Sequence, residues 1–102
     1  MKGTMSVTEE YPDGSKYIGE VKNDKKHGKG VYIWPIGDRY EGEWVEGKQQ
    51  GKGVCTYSSG NRYEGQWHDD KKHGYGVFVW ESGDRYEGKI DLWLFFCFSF
   101  LI

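Results

Sequence analysis

Apolar and polar residues alternate with a period of two through most of the chain, a pattern typical of β-strands that bury one face. In one such segment Tyr40, Gly42 and Trp44 fall on one side, and Glu41 and Glu43 fall on the other. A turn follows, and a second alternating segment comes after it. The pattern therefore predicts pairs of short strands, and it contains no stretch of helical period.

The alternation repeats every 23 residues, which identifies an internal repeat. The recurring tyrosines and glycines are Tyr17, Tyr40, Tyr63 and Tyr86; Gly19, Gly42, Gly65 and Gly88; and Gly30, Gly53 and Gly76. The sequence predicts three complete units, 17–39, 40–62 and 63–85, a partial unit at 11–16 and another at 86–91.

Short connections join the predicted strands within and between units. The most explicit one, Pro12-Asp13-Gly14, suits a type I turn that closes on a left-handed glycine. Strands joined in this way form hairpins. We therefore expect an all-β fold, a single elongated, twisted antiparallel sheet of tandem β-hairpins with seven or eight strands, growing by about 10 Å per unit.

Aromatic residues at equivalent positions of the units are expected to stack into columns on one face of this sheet. The glycines between them leave bare backbone on which the rings lie. The predicted core consists of Tyr17, Tyr40, Trp44, Tyr63, Trp67, Tyr86, Trp34, Tyr57 and Trp80. The opposite face is half apolar, and we expect it to be solvated or to receive a partner.

The two ends of the chain depart from the repeat. Residues 1–10 are expected to form a flexible N-terminus. Residues 92–102 are a hydrophobic tail rich in phenylalanine and leucine, too short as a helix to span about 30 Å of hydrocarbon. Two interpretations of this tail are open: an alternative or truncated end, or an anchor that inserts into lipid or covers the sheet.

Composition limits the classes of function. The 102 residues suit one small domain, and 14 Lys and Arg against 16 Asp and Glu give a net charge of −2. This balance offers no general attraction to nucleic acid, so none is expected as a partner. The first ten residues lack the apolar stretch of a secretory signal, and we expect a cytoplasmic protein.

Known catalytic and metal-binding patterns are missing from the sequence. Its Gly-x-Gly pairs recur between two strands with no following helix, unlike a dinucleotide or phosphate loop. Its histidines lack cysteine or carboxylate neighbours at zinc-ligand spacing. We therefore expect a non-enzymatic protein without catalytic residues, a cofactor or a metal.

One charged feature stands out. A basic row is predicted along one turn edge of the sheet, made of Lys25, Lys26, His27, Lys48, Lys71, Lys72 and His73. Two interpretations are open: the row contacts lipid phosphates or a partner, or it is a solvated turn whose field is reduced by neighbouring Asp and Glu residues.

The recurring pattern Tyr-x-Gly-x-Trp, then a turn, His-Gly-x-Gly and a closing Gly resembles the MORN (membrane occupation and recognition nexus) repeat. Tyr40 to Trp44, Tyr63 to Trp67 and His73 to Gly76 carry the resemblance. Two units depart from it, with Gln50 at the histidine position and Val21 at the tryptophan position.

This resemblance implies an interaction and scaffolding role, since the family includes ciliary and cytoskeletal scaffolds, junctional membrane proteins and accessory segments of lipid kinases. We expect a protein-interaction or scaffold module of a ciliary or cytoskeletal assembly, with a protein partner. The alternatives are a phospholipid-binding module with weak affinity for anionic lipid at a membrane surface, and an accessory fragment of a larger enzyme. Homo-oligomers through an open sheet edge or the tail are a further expectation.

Overall fold

The computed structural model describes residues 5–90, which form eight β-strands and no helix. Within this range no helix is long and apolar enough to cross a membrane. The strands are β1 (Met5–Glu10), β2 (Lys16–Lys22), β3 (Lys25–Ile33), β4 (Arg39–Val45), β5 (Lys48–Thr56), β6 (Arg62–His68), β7 (Lys71–Val79) and β8 (Arg85–Lys89).

All eight strands lie in one antiparallel sheet in the order in which they occur along the chain. The molecule measures 46 by 27 by 19 Å along its principal axes, as expected for a sheet that adds strands in one direction. The predicted all-β fold of tandem hairpins is confirmed. It follows from connections too short for any arrangement other than pairing with the next strand.

The two kinds of connection differ in geometry. Inside a repeat, two residues with positive φ join the strands, such as Asn23 (52°) and Asp24 (65°), the conformation of a type I′ turn that matches strand twist. Between repeats, Trp34 N–H donates to Asp38 O and Gly37 N–H donates to Trp34 O, both at 2.9 Å. Gly37 has a φ of 102°, so the predicted left-handed glycine closes this turn.

Each repeat contains a β-bulge, and a glutamate or glutamine side chain of the same repeat accepts a backbone hydrogen bond there. Strand pairing shifts register between Gly42 and Trp44, next to Gly51 with its positive φ of 78°. Glu43 Oε1 accepts a hydrogen bond from the backbone N–H of Lys52 at 2.9 Å. Glu20 and Gln66 make the equivalent bonds in the other two repeats, at 2.7 and 2.9 Å. The backbone amide at the bulge therefore has a hydrogen-bond partner in all three repeats.

Aromatic rings on one face of the sheet form the core. The buried apolar residues are Tyr17, Tyr40, Trp44, Cys55, Tyr57, Tyr63, Trp67 and Phe78. Rings of successive repeats meet edge to face: Tyr40 lies 5.1 Å from Trp44 of its own repeat and 5.1 Å from Trp67 of the next. Each tryptophan thus packs between two tyrosines, a preferred aromatic geometry.

Three residues of the predicted core are less buried than expected. Trp34 and Trp80 are half-buried and pack against the rim of the core. Tyr86 is 43% exposed, whereas Tyr17, Tyr40 and Tyr63 are completely buried. The reason is its strand: among the described strands, β8 has a neighbour on one side only, so Tyr86 lacks the second strand on which the other tyrosines lie.

The prediction of a flexible N-terminus is wrong for residues 5–10, which form β1. This strand pairs with β2 in the register of a second strand of a repeat: Val7 faces Gly19 as Gly30 faces Gly42. The partial first unit therefore begins at residue 5 rather than 11. The glycine signature of the repeat is missing here, since Val7 stands at the Gly30 position, which is why the sequence pattern did not show it. The hydrophobic tail, 92–102, lies outside the described residues.

Replacing Trp44 by alanine is expected to lower the free energy of unfolding by about 3–5 kcal/mol, because a buried ring is lost from between two tyrosines. Glu41→Ala is the matched control on the same strand; Glu41 is exposed and pairs with Arg39 at 3.1 Å, an interaction worth under about 1 kcal/mol. Urea denaturation followed by circular dichroism measures both. Equal costs for the two variants would contradict this account of the core.

Candidate functional site

The sheet has two faces with different chemistry. The aromatic face carries the core rings described above. The charged face is the opposite one, and the exposed side chains of Glu41 and Glu64 mark it. The turns within the repeats form the turn edge, at residues 23–24, 46–47 and 69–70.

The turn edge holds only part of the predicted basic row. Lys25, Lys48 and Lys71 are exposed there. Lys25 Nζ lies 3.5 Å from Glu46, and Lys48 Nζ lies 3.7 Å from Asp69, so each of these two lysines pairs with a carboxylate from the turn of the next repeat. These pairs are exposed and weak, but they reduce the positive field at the edge.

Lys26 and Lys72 are not on the turn edge, so the predicted row is wrong for them. A two-residue turn places Lys72 directly opposite Trp67, and Lys26 directly opposite Val21. Directly opposite residues of an antiparallel pair point to the same face. Both lysines therefore lie on the aromatic face.

Lys72 is 3% exposed and lies among three aromatic rings. Its Nζ is 5.4 Å from the ring centroids of Tyr57, Tyr63 and Trp67. The ring faces favour the charged amine, whereas burial disfavours it by removing water. Burial lowers the pKa of Lys72 from 10.5 to about 7.

Lys26 has a similar but more open environment. Its Nζ lies 5.2–5.8 Å from the centroids of four rings, and the side chain is half-buried. The rings are those of Tyr11, Tyr17, Tyr32 and Trp44. The middle repeat has Gln49 at the same position, 3% exposed, and its backbone N–H donates to Asp70 Oδ1 at 2.8 Å.

The two histidines of the predicted row point to the charged face. His73 is exposed, and its ring lies 5.5 Å from that of His68. Gln50, which replaces histidine in the middle repeat, has its Nε2 2.9 Å from His68 Nδ1. His27 is half-buried near Glu43 and Gln50. Within residues 5–90, no three His, Cys, Asp or Glu side chains are grouped so as to hold a metal ion.

The core tyrosines are held by hydrogen bonds that the sequence did not reveal. Tyr40 Oη donates to Glu43 O at 2.9 Å, and Tyr17 and Tyr63 make the same contact three residues ahead, at 2.6 and 3.0 Å. Burial raises the pKa of Tyr17 and of Tyr63 to about 12. These hydroxyls therefore stay protonated and donating at physiological pH.

The charged face carries side chains in straight rows across the strands, because directly opposite residues continue from one strand to the next. The central row comprises Ile18, Val31, Glu41, Val54, Glu64, Val77 and Glu87, and apolar and acidic residues alternate in it from Val31 onward. Adjacent members are about 5 Å apart, so like residues recur about every 10 Å.

Two further rows flank the central one. The first contains three arginines, and each pairs with the glutamate two residues ahead, as Arg62 does with Glu64 at 3.1 Å. Its members are Lys16, Ile33, Arg39, Thr56, Arg62, Val79 and Arg85. The other flanking row includes Lys52, Gln66 and Tyr75.

A shallow groove crosses this face over β4 to β7. Val54 and Val77 form its apolar part, Glu41, Glu64 and Lys52 form its charged part, and the 65% exposed Tyr75 lies at one side. The groove is open to solvent, and its components repeat with the strands. Such a face is suited to contact with an extended surface rather than to chemistry on a small substrate.

Comparison with known protein families agrees with this repeated geometry. The family model of the MORN repeat matches three consecutive stretches, 17–39, 40–62 and 63–85, each of 23 residues. Together they cover more than half of the chain. The chain belongs to the MORN repeat family. MORN repeats are non-catalytic repeat modules generally linked to protein or membrane interactions. A search of curated proteins gave no significant match.

The stability of this MORN array is expected to rise with pH between about 7 and 9, because of Lys72. Its pKa is about 7 in the folded state, against an ordinary value of 10.5. Over this range the unfolded chain binds a proton that the folded chain does not, so raising the pH favours folding. Urea denaturation at pH 6.5, 7.5 and 9 measures the slope.

Lys72→Met is expected to remove most of this slope and to stabilise the protein at pH 6.5, because no charge then has to be buried. Lys71→Met, the exposed neighbour, is the matched control and keeps the slope. A slope that survives in Lys72→Met, or that disappears in both variants, would refute the assignment to Lys72.

Proposed function

We propose that this MORN array is a non-enzymatic protein-interaction module that acts as a scaffold element of a cytoplasmic assembly, with a ciliary or cytoskeletal structure as its setting. The observation that carries the proposal is the charged face. Along β4 to β8 its central row repeats the same groups, with glutamates alternating with valines, whereas the first repeat has Ile18 at the glutamate position.

Binding of a protein partner across this face suits its composition. The central row supplies half-buried valines and exposed glutamates about 10 Å apart. Glu41 and Glu64 already pair with Arg39 and Arg62 at 3.1 Å. A partner surface that buries the valines therefore gains mainly apolar contact, and these charged pairs favour polar groups opposite them. Tyr75, exposed beside the groove, is of the residue type enriched in such contacts.

The turn edge gives less support to phospholipid binding. Of the seven residues predicted to form a basic row, Lys26 and Lys72 lie on the aromatic face, and two of the lysines at the turn edge pair with Glu46 and Asp69. The net charge of the chain is −2. An anionic bilayer attracts clusters of several unpaired basic residues, and this edge alternates basic and acidic groups instead.

The role of the charged face can be tested by its valines. In ciliated cells, the full chain is expected to stay in the cytoskeletal pellet after detergent extraction, and Val54→Lys combined with Val77→Lys is expected to reduce the retained fraction at least about tenfold. Each new lysine stands between glutamates of the same row, so cross-strand charge pairs support the fold while the apolar contact is lost.

The control variant replaces Lys25, Lys48 and Lys71 by serine and is expected to remain in the pellet. Circular dichroism and thermal melting verify that both variants are folded. Retention that is unaffected by the valine changes but lost in the lysine-to-serine variant would contradict the proposal and favour the turn edge.

Charge-dependent vesicle binding is expected to be absent. At physiological salt the full chain should sediment to the same extent with phosphatidylserine-containing vesicles as with neutral vesicles, because Lys25 and Lys48 pair with carboxylates and the screening length is only about 8 Å. Several-fold greater sedimentation with the anionic vesicles, lost in the lysine-to-serine variant, would instead establish the lipid-binding alternative.

A further inference from the structure

Each repeat consists of a first strand (β2, β4 and β6) and a second strand (β3, β5 and β7). Strand β1 has the position of a second strand but lacks its glycines. Val7 faces Gly19 in β2 as Gly30 faces Gly42 and Gly53 faces Gly65. Within the described strands, β1 pairs with β2 alone, and its outer edge is where the first strand of its own repeat would add.

At the inner positions this glycine has a definite steric role. The ring of Tyr17 lies on Gly30, the ring of Tyr40 on Gly53 and that of Tyr63 on Gly76. A Cβ built on Gly30 would come within 2.6 Å of Tyr17 Cε1, a distance that Cβ contacts in proteins do not reach. A first strand of the MORN type therefore needs, on the strand with which it pairs, a residue without a side chain beneath its tyrosine ring.

Met5 adds a second mismatch. It occupies the position of Gly28, whose φ is 72° and which lies beneath the Glu20 side chain. Met5 is absent from the positive-φ residues of the described chain, so β1 does not provide the left-handed residue over which a first strand places its bulge.

The strand at the opposite end of the described sheet, β8, is of the kind that would pair with the outer edge of β1 if β1 had the glycines of a second strand. Strand β8 is a first strand, and its Tyr86 is 43% exposed. Pairing of β8 of one copy with β1 of another would continue the order of strands and would be a head-to-tail contact, which generates filaments or rings of many copies.

We propose that Val7, together with Met5, is a built-in stop: it closes the outer edge of β1 to first strands of the MORN type, including β8 of a second copy, and so prevents head-to-tail extension of the array. The stop acts through the valine Cβ, which occupies the place of the tyrosine ring. Edge strands are commonly protected against pairing by local departures of this kind.

A labelled peptide that copies residues 39–49, which contain the MORN first strand β4, probes the edge directly. Two full-length variants differ by one methyl group: Met5→Gly with Val7→Gly, and Met5→Gly with Val7→Ala. By fluorescence anisotropy, the double-glycine variant is expected to bind the peptide at least tenfold more tightly than the alanine variant or the unmodified chain.

A second peptide with Tyr40→Ala removes the ring that the Cβ excludes, and the two variants are expected to bind it equally. The proposal is overturned if the alanine variant binds the first peptide as tightly as the glycine variant does, or if neither variant binds it.

A separate variant, within the array, tests the same steric rule without depending on the stability of β1. Gly53→Val places the valine of β1 inside the array, under the ring of Tyr40. Amide hydrogen exchange in β4 and β5 is expected to accelerate at least tenfold, because the two strands can no longer pair with the ring in place. Unchanged exchange would show that the sheet accepts a valine beneath the tyrosine, and the stop would have to be abandoned.

Discussion

The close approach of a tyrosine ring to a glycine backbone is the contact on which the rest of this sheet depends. Tyr40 lies on Gly53, its hydroxyl donates to Glu43 O at 2.9 Å, and that residue closes the bulge of the repeat. Trp67 Nε1 donates to Gly53 O at 3.1 Å from the next repeat. One glycine thus links the core, the bulge and the junction between repeats.

This contact explains how a single-layer sheet has a core at all. A lone sheet normally exposes both faces and needs a second layer to bury one of them. Here tyrosine rings lie on glycines and interleave with tryptophans of the same and the neighbouring repeats, so Tyr17, Tyr40 and Tyr63 are fully buried. Each repeat is buried largely by its neighbours, the usual arrangement in repeat proteins, and the charged face is left available for a partner.

The period, the strands, the turns between repeats and most of the core were predictable from the sequence, because each depends on local alternation and on glycine spacing. The placement of Lys26 and Lys72 depends on register. A two-residue turn at 69–70 makes Lys72 the direct partner of Trp67. The length of this turn can be counted in the sequence, and it indicates that Lys72 lies on the same face as Trp67. Strand β1 was hidden because Val7 replaces the diagnostic glycine.

The charged face could be predicted only in part. The alternation indicated a half-apolar surface with exposed glutamates, but the straight rows arise from pairing across the six strand junctions from β2 to β8, and the strands acquire that register only when the hairpins assemble. The exposure of Tyr86 likewise depends on which strands flank β8, a property of the sheet and not of the local sequence.

A double-mutant cycle between Tyr40 and Gly53 tests the central contact most directly. In the unmodified chain, Gly53→Ala is expected to lower the free energy of unfolding by about 1–3 kcal/mol, because the new Cβ displaces the ring. In a Tyr40→Leu background, the same change is expected to cost less than about 1 kcal/mol, which corresponds to a coupling typical of residues in contact. Equal costs of Gly53→Ala in both backgrounds, measured by urea denaturation, would contradict the account.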